Sequence, residues 1–318
     1  VFGGIEVKSE VTDLAGNYHV LDFPMEVSGH FFGQSLSFIS DRNGDGKPEL
    51  VVGAPEDSVP SATSWGNTHG SVHIYLSLGD GYETMPTQSL FAYQGHKPGF
   101  RYGYALRDLG DFNGDGIDDL GILARYQTLE SRGTYASWGF WGEEFVDTNG
   151  NGVYDAGIDS FTDSNSNGTH EPGFYSCAGS SSSGGVGALL VHLGVADEDH
   201  LFEAEPTFVF VHPKYYGTMV FLSESLDING DGYKDALVGS DRWSRDTIDV
   251  EGNIVSSVNA AGGVKVFWGR PVPAPGETHL FCDGVDVFFG VNSNDGVGRV
   301  TAMGDLNGDS CDDFAFAG

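Results

Sequence analysis

Four stretches of the chain repeat one arrangement of oxygen-bearing side chains: "DRNGDGKPEL" from Asp41, "DFNGDGIDDL" from Asp111, "DINGDGYKDA" from Asp227 and "DLNGDSCDDF" from Asp305. Carboxylates packed this closely repel one another, and the glycines between them disfavour any regular element. Recurrence of one costly pattern imposes a repeat. Repeats of this kind restrict the fold to arrays whose units bury their faces against neighbouring units.

Other features fall into register with the loops. Ahead of each stands an aromatic or apolar residue plus glycine: Phe32-Gly33, Tyr102-Gly103, Tyr216-Gly217 and Val297-Gly298. Behind each runs a short apolar segment: "ELVVGAP" from Glu49, "DLGILAR" from Asp119, "DALVGSD" from Asp235 and "DFAFAG" from Asp313. A glycine then opens a third run, at Gly70, Gly187 and Gly263, and a fourth follows at Ser89, Thr207 and Thr278 ("THLFCDG"). Each unit therefore predicts four short strands, with the acidic loop between the first and second. Composition agrees, since the 48 glycines are roughly double the usual share of about 7%. Four-stranded units in series predict an all-β chain built as a β-propeller, whereas an unrelated sandwich leaves the fixed order of features unexplained.

The ends fit the same repeat. "VFGG" at Val1 matches "VFWG" at Val266, a third strand, and "HVLDFP" at His19 follows as a fourth. "DFAFAG" at the other end is a second strand. Residues 1–318 thus read as one propeller region: a half blade at 1–29, whole blades at 30–100, 101–213 and 214–288, and a half blade at 289–318. The reading favoured is a window on a longer array; the alternative is a four-bladed ring closed by pairing the two halves.

Within each loop the oxygen side chains occupy positions 1, 3, 5 and 9. These are Asp41, Asn43, Asp45 and Glu49; Asp111, Asn113, Asp115 and Asp119; Asp227, Asn229, Asp231 and Asp235; Asp305, Asn307, Asp309 and Asp313. Position 7 varies freely (Lys47, Ile117, Tyr233, Cys311), as expected where only the backbone carbonyl is used. Three carboxylates, an amide, a carbonyl and water suit Ca2+, a hard cation that takes six to eight oxygens in flexible geometry; Mg2+ demands a stricter octahedron. An EF-hand would place a bidentate Glu at position 12, but Val52, Ile122, Val238 and Phe316 stand there, inside predicted strands. The competing reading is an Asx-turn that needs no metal.

An insertion at 125–186 in the second unit carries the same spacing twice. Asp147, Asn149, Asn151 and Asp155 form one set, with the Val153 carbonyl; Asp163, Asn165, Asn167 and Glu171 form the other, with the Thr169 carbonyl. Fewer carboxylates per loop predict weaker Ca2+ binding. "GSSSSGG" from Gly179 reads as a linker.

These residues resemble the FG-GAP repeats of integrin α-subunit propellers and their bacterial relatives, above all in "FFGQSLSFISDRNGDGKPELVVGAP", and more weakly along nearly the whole chain. Phe32-Gly33 and Gly53-Ala54-Pro55 are the name-giving elements; Leu123-Ala124-Arg125 and Gly239-Ser240-Asp241 replace the second element in later units. The resemblance implies a bacterial-type calcium-binding surface protein whose propeller is usually seven-bladed, with structural Ca2+ at these loops. Only the loop ligands carry over. The chain has no Arg-Gly-Asp and no inserted adhesion domain, so integrin partner choice does not transfer.

The formal charge of −31 repels nucleic acid and anionic lipid. No run approaches the ~20 apolar residues of a membrane span, and "VFGGIEVKSE" does not resemble a signal peptide. Cys177, Cys282 and Cys311 are too few for a disulfide scaffold. The 10 histidines are scattered, with His69 and His73 the one close pair, and no nucleophile–base set accompanies them, so no enzyme is expected. In a four-stranded meander the 1–2 and 3–4 loops emerge at one end and the 2–3 loops at the other. The long 2–3 segments carry Trp65, Trp138, Phe140, Trp141 and Trp243, which makes the face opposite the acidic loops the candidate surface for a protein or glycan ligand. Packing of Trp138, Phe140 and Trp141 into a small core of the insertion is the alternative. The function expected is an extracellular or cell-surface adhesion module stabilised by Ca2+, since such loops fill at extracellular calcium levels. A structural subunit of a surface assembly and a carbohydrate-binding propeller are the alternatives.

Overall fold

The computed structural model describes residues 31–57, 70–78, 81–91, 101–124, 145–146, 160–161, 187–197, 200–211, 219–248, 254–272, 279–281 and 285–318. Among them every regular element is a β-strand.

The first blade is an antiparallel sheet of Ser35–Ile39, Glu49–Ala54, Ser71–Tyr75 and Gln88–Phe91, in that spatial order. Tyr102–Gly110, Asp119–Ala124, Ala188–His192 and Phe208–Val211 repeat the order in the second blade. Phe221–Leu222, Ala236–Ser240, Gly263–Phe267 and Val285–Phe289 form the third. Arg299–Gly304 and Asp313–Ala317 pair as the first two strands of a fourth unit.

Strand alternation distributes the core between blades. In the second blade Leu120, Ile122 and Leu190 face the first blade, packing with Val51, Val72 and Ile74. Leu123, Leu189, Val191, Phe208 and Phe210 point the other way, onto Met219, Leu222, Val238 and Phe267 of the third. Leu237, Val264 and Val266 then meet Val300 and Phe314 of the final pair. Inner strands are thus covered on both faces, which is why "ALLVH" and "SVHIY" read as continuous runs rather than alternating ones. Each such side chain contributes roughly 1.5–3 kcal/mol by leaving water.

Glycine sets the closest blade contacts. A Cβ on Gly53 would lie 2.3 Å from the Gly103 carbonyl oxygen, and one on Gly239 would lie 1.8 Å from that of Gly298. The aromatic-glycine element of one blade therefore docks on the second strand of the blade before it. Leu123 takes the equivalent place in the second blade, fully buried, so that junction is filled by side chain instead.

Three expectations are corrected. The fourth strand of the third blade is Val285–Phe289, not the run at Thr278; His279–Phe281 instead adds in parallel outside Phe208–Val211 of the second blade. Both segments are short and apolar, so periodicity could not separate them; pairing decides. The glycine equivalent to Gly70 is Gly262 rather than Gly263, because Gly70 bridges Tyr102 as Gly262 bridges Val297. Trp243 is 1% exposed and is no surface residue. The chain turns back immediately after the second strand, the Gly262 amide bonds the Trp243 carbonyl at 2.9 Å, and the indole fills the core between the second and third blades. The remainder of that segment forms the hairpin Arg245–Ile248 and Ile254–Val258.

Candidate metal centres

The four acidic loops fold alike because the carboxylate at position 1 organises the backbone ahead of it. Asp41 accepts the amides of Gly44, Asp45 and Gly46 at 2.7, 3.2 and 2.7 Å. The equivalent amides reach Asp111 at 2.7, 2.9 and 2.8 Å, Asp227 at 2.8, 3.1 and 3.0 Å, and Asp305 at 2.6, 3.2 and 2.9 Å. In each loop the Asn at position 3 accepts the position 5 amide and the Asp at position 5 accepts the position 7 amide. Position 6 needs positive φ, and where glycine is missing Ser310 takes it at 70°, at a cost of about 1–2 kcal/mol.

The acid at position 9 ties the loop to the rest of its blade. One oxygen accepts the amide of position 2: Arg42 to Glu49 at 3.0 Å, Phe112 to Asp119 at 2.9 Å, Ile228 to Asp235 at 2.9 Å and Leu306 to Asp313 at 2.9 Å. The other oxygen accepts an amide just beyond the third strand, from Ser77 onto Glu49, Gly194 onto Asp119 and Gly269 onto Asp235. The 1–2 and 3–4 connections therefore share one end of the blade. Glu49, Asp119 and Asp235 are buried. Burial pushes Asp119 up to about 7, with Asp115 and Asp111 adding repulsion. Asp235 is pushed to about 6 by burial, with Asp231 and Asp227 adding. Asp305, fully exposed, is instead held below the ordinary carboxylate value by amides led by that of Ser310.

Among the described residues no group of three or more His, Cys, Asp or Glu side chains is gathered so as to hold a metal. The carboxylates are turned onto backbone amides, as in a nest of Asx-turns. The donor set nevertheless fits a hard cation. Each loop combines three carboxylates, an Asn oxygen and a position 7 carbonyl, and the shifts of Asp119 and Asp235, due first to burial, include a repulsion from neighbouring carboxylates that a cation would relieve.

The insertion residues Asp147, Asn149, Asn151, Val153, Asp155, Asp163, Asn165, Asn167, Thr169 and Glu171 lie outside the described residues, as do Trp65, Trp138, Phe140 and Trp141. Phe145–Val146 and Ser160–Phe161 pair antiparallel and bracket the first insertion loop. Cys311 is a free thiol.

Two histidines have structural settings. The Ser71 hydroxyl donates to Asp57 Oδ2 at 2.6 Å, so His73 Nε2–H donates to Ser71 Oγ at 2.9 Å and Ser89 Oγ donates to His73 Nδ1 at 2.8 Å. His192 Nδ1 donates to the Glu203 carbonyl at 2.9 Å and its Nε2 accepts the Tyr102 hydroxyl at 2.7 Å. Burial pushes both imidazoles down to about 4. The Asp57–Ser71–His73 chain is sealed from solvent, and the serine proton points at the carboxylate rather than at the imidazole, the reverse of an activated nucleophile.

Arg42, at position 2 of the first loop, is a residue that loop spacing alone could not single out. Its guanidinium donates to the carbonyls of Asp118, Val195 and Leu201 at 3.2, 3.4 and 2.7 Å and lies 5.1 Å from the Phe202 ring centre. It fastens the first loop to the second blade.

Residues 32–75 match the family model described as FG-GAP repeat. The chain is 39% identical to Drosophila melanogaster integrin alpha-PS2 over 105 residues, 33% of this chain and 7% of that protein. It is 34% identical to Mus musculus integrin alpha-IIb over 101 residues, 32% and 10% of the two chains. With Xenopus laevis integrin alpha-5 it shares 32% identity over 122 residues, 38% and 11% of the two chains. The matched stretch thus spans a small part of each relative. Together the repeat match and these similarities support an FG-GAP, integrin-α-like chain with all-β blades. Among the described residues no helix is long and apolar enough to cross a membrane.

Proposed function

We propose that the chain is part of a β-propeller, stabilised by Ca2+, that serves outside the cell as an adhesion or protein-interaction module. The observation that carries this reading is the identical hydrogen-bonded build of four loops whose oxygen donors recur at one spacing. Ca2+ would be held by the side chains at positions 1, 3, 5 and 9 and the carbonyl at position 7, where it supplies charge neutralisation and loop order rather than catalysis. Asp147–Asp155 and Asp163–Glu171 would take two further ions. The partner, a protein ligand, meets the opposite face, where the 2–3 segments emerge. Similarity to integrin α chains supports the adhesive role.

The test is thermal unfolding with excess Ca2+ and with excess chelator. A cation bound only by the folded state stabilises by about 2.7 kcal/mol per site at a hundredfold excess over Kd. The expected result is a large fall in Tm on chelation, with Asp115→Ala more damaging than Asp163→Ala. Coincident melting curves would refute the calcium reading.

A further inference from the structure

The second, third and fourth loops are not independent of one another. Lys234, at position 8 of the third loop, donates its amide to the carbonyl of Asp111, at position 1 of the second, at 3.0 Å. Asp312, at position 8 of the fourth, repeats the contact on Asp227, at position 1 of the third, at 2.7 Å. The second bond is reciprocal, because the Asp227 amide donates to Asp312 Oδ2 at 2.7 Å. Lys234 Nζ reaches the same carboxylate oxygen at 3.4 Å. Position 7 packs in the same direction: a Cβ on Gly114 would lie 2.4 Å from the Tyr233 ring, and one on Gly230 would lie 3.2 Å from Cys311 Sγ.

Position 8 stands between the position 7 carbonyl and the position 9 carboxylate of its own loop. It also grips the backbone of the residue whose carboxylate organises the loop before it. We propose that the second, third and fourth loops form one row of cation sites coupled positively through these position 8 residues, so that filling one loop orders the next. The proposal rests on the calcium reading above. Two discrete states of a shared backbone contact are what energetic coupling between sites requires. Repulsion between neighbouring cations acts in the opposite sense, and the sign of the coupling decides between them.

Hydrogen exchange of peptides from each loop, followed through a calcium titration, separates the two readings. Asp309→Ala removes a fourth-loop donor and leaves the third loop's own donors intact. Asp312→Ala leaves every fourth-loop donor in place and removes only the carboxylate that accepts the Asp227 amide and Lys234 Nζ. Coupling raises the third-loop calcium midpoint about fivefold or more in Asp309→Ala, near the low end of measured couplings, and by a smaller factor in Asp312→Ala. The first-loop midpoint stays fixed in both. Calcium-dependent protection with a third-loop midpoint that stays put or falls in both variants overturns the coupling and leaves the calcium reading standing. Absence of calcium-dependent protection in every loop of the unaltered protein overturns both.

Discussion

His73 gives the sharpest quantitative test of the fold. The imidazole is buried between Phe32 and Phe91, with its two nitrogens on Ser71 and Ser89, and burial moves it from 6.5 to about 4. The folded state therefore refuses a proton that the unfolded chain accepts. Stability from the neutral ring is fully present above pH 6.5 and drains away as pH falls toward 4. At 1.36 kcal/mol per pH unit the loss is about 3 kcal/mol across that window and about 2 kcal/mol by mid-acid pH. The measurement is urea unfolding of the unaltered protein and of His73→Gln at matched ionic strength in chelator. Carboxylates titrate in both proteins, so the difference between them isolates the ring. That difference should shrink by about 3 kcal/mol from neutral to acid pH. A difference independent of pH would mean the imidazole is solvated or already charged, and the sealed network would be wrong.

Three substitutions test the packing. Gly239→Ala drives a methyl to 1.8 Å from the Gly298 oxygen and should cost about 3 kcal/mol or more, with exchange rising first in 299–317. Gly46→Ala, which meets open space at positive φ, should cost only about 1–2 kcal/mol; equal losses would refute the close docking of blades. Trp243→Ala empties a buried core position and should cost about 3–5 kcal/mol in denaturant unfolding. A loss below about 1 kcal/mol would place the indole at the surface after all.

The acidic loops were legible because their chemistry is local. Positions 1, 3 and 5 make hydrogen bonds within a few residues of themselves, so spacing alone encodes them. Inner strands were legible because both of their faces are buried, which leaves unbroken apolar runs such as "ALLVH". What failed was non-local. "THLFCDG" and "VDVFFG" are equally apolar, and which one completes the third blade depends on the neighbour each meets. Trp243 follows a strand end, where aromatics are exposed or buried according to how sharply the chain turns. Arg42 is one cation in a loop, and nothing nearby in sequence announces that its carbonyl partners lie in another blade.

The strand His279–Phe281, lent by the third blade to the outer rim of the second, has a consequence for solubility. The rim of a propeller blade is an open ladder of amides and carbonyls, a template on which another chain can polymerise. On Phe208–Val211 that ladder is occupied from within. The same loan ties a segment that precedes the third blade's last strand to the rim of the second blade, so the two blades are joined at the rim as well as through the core.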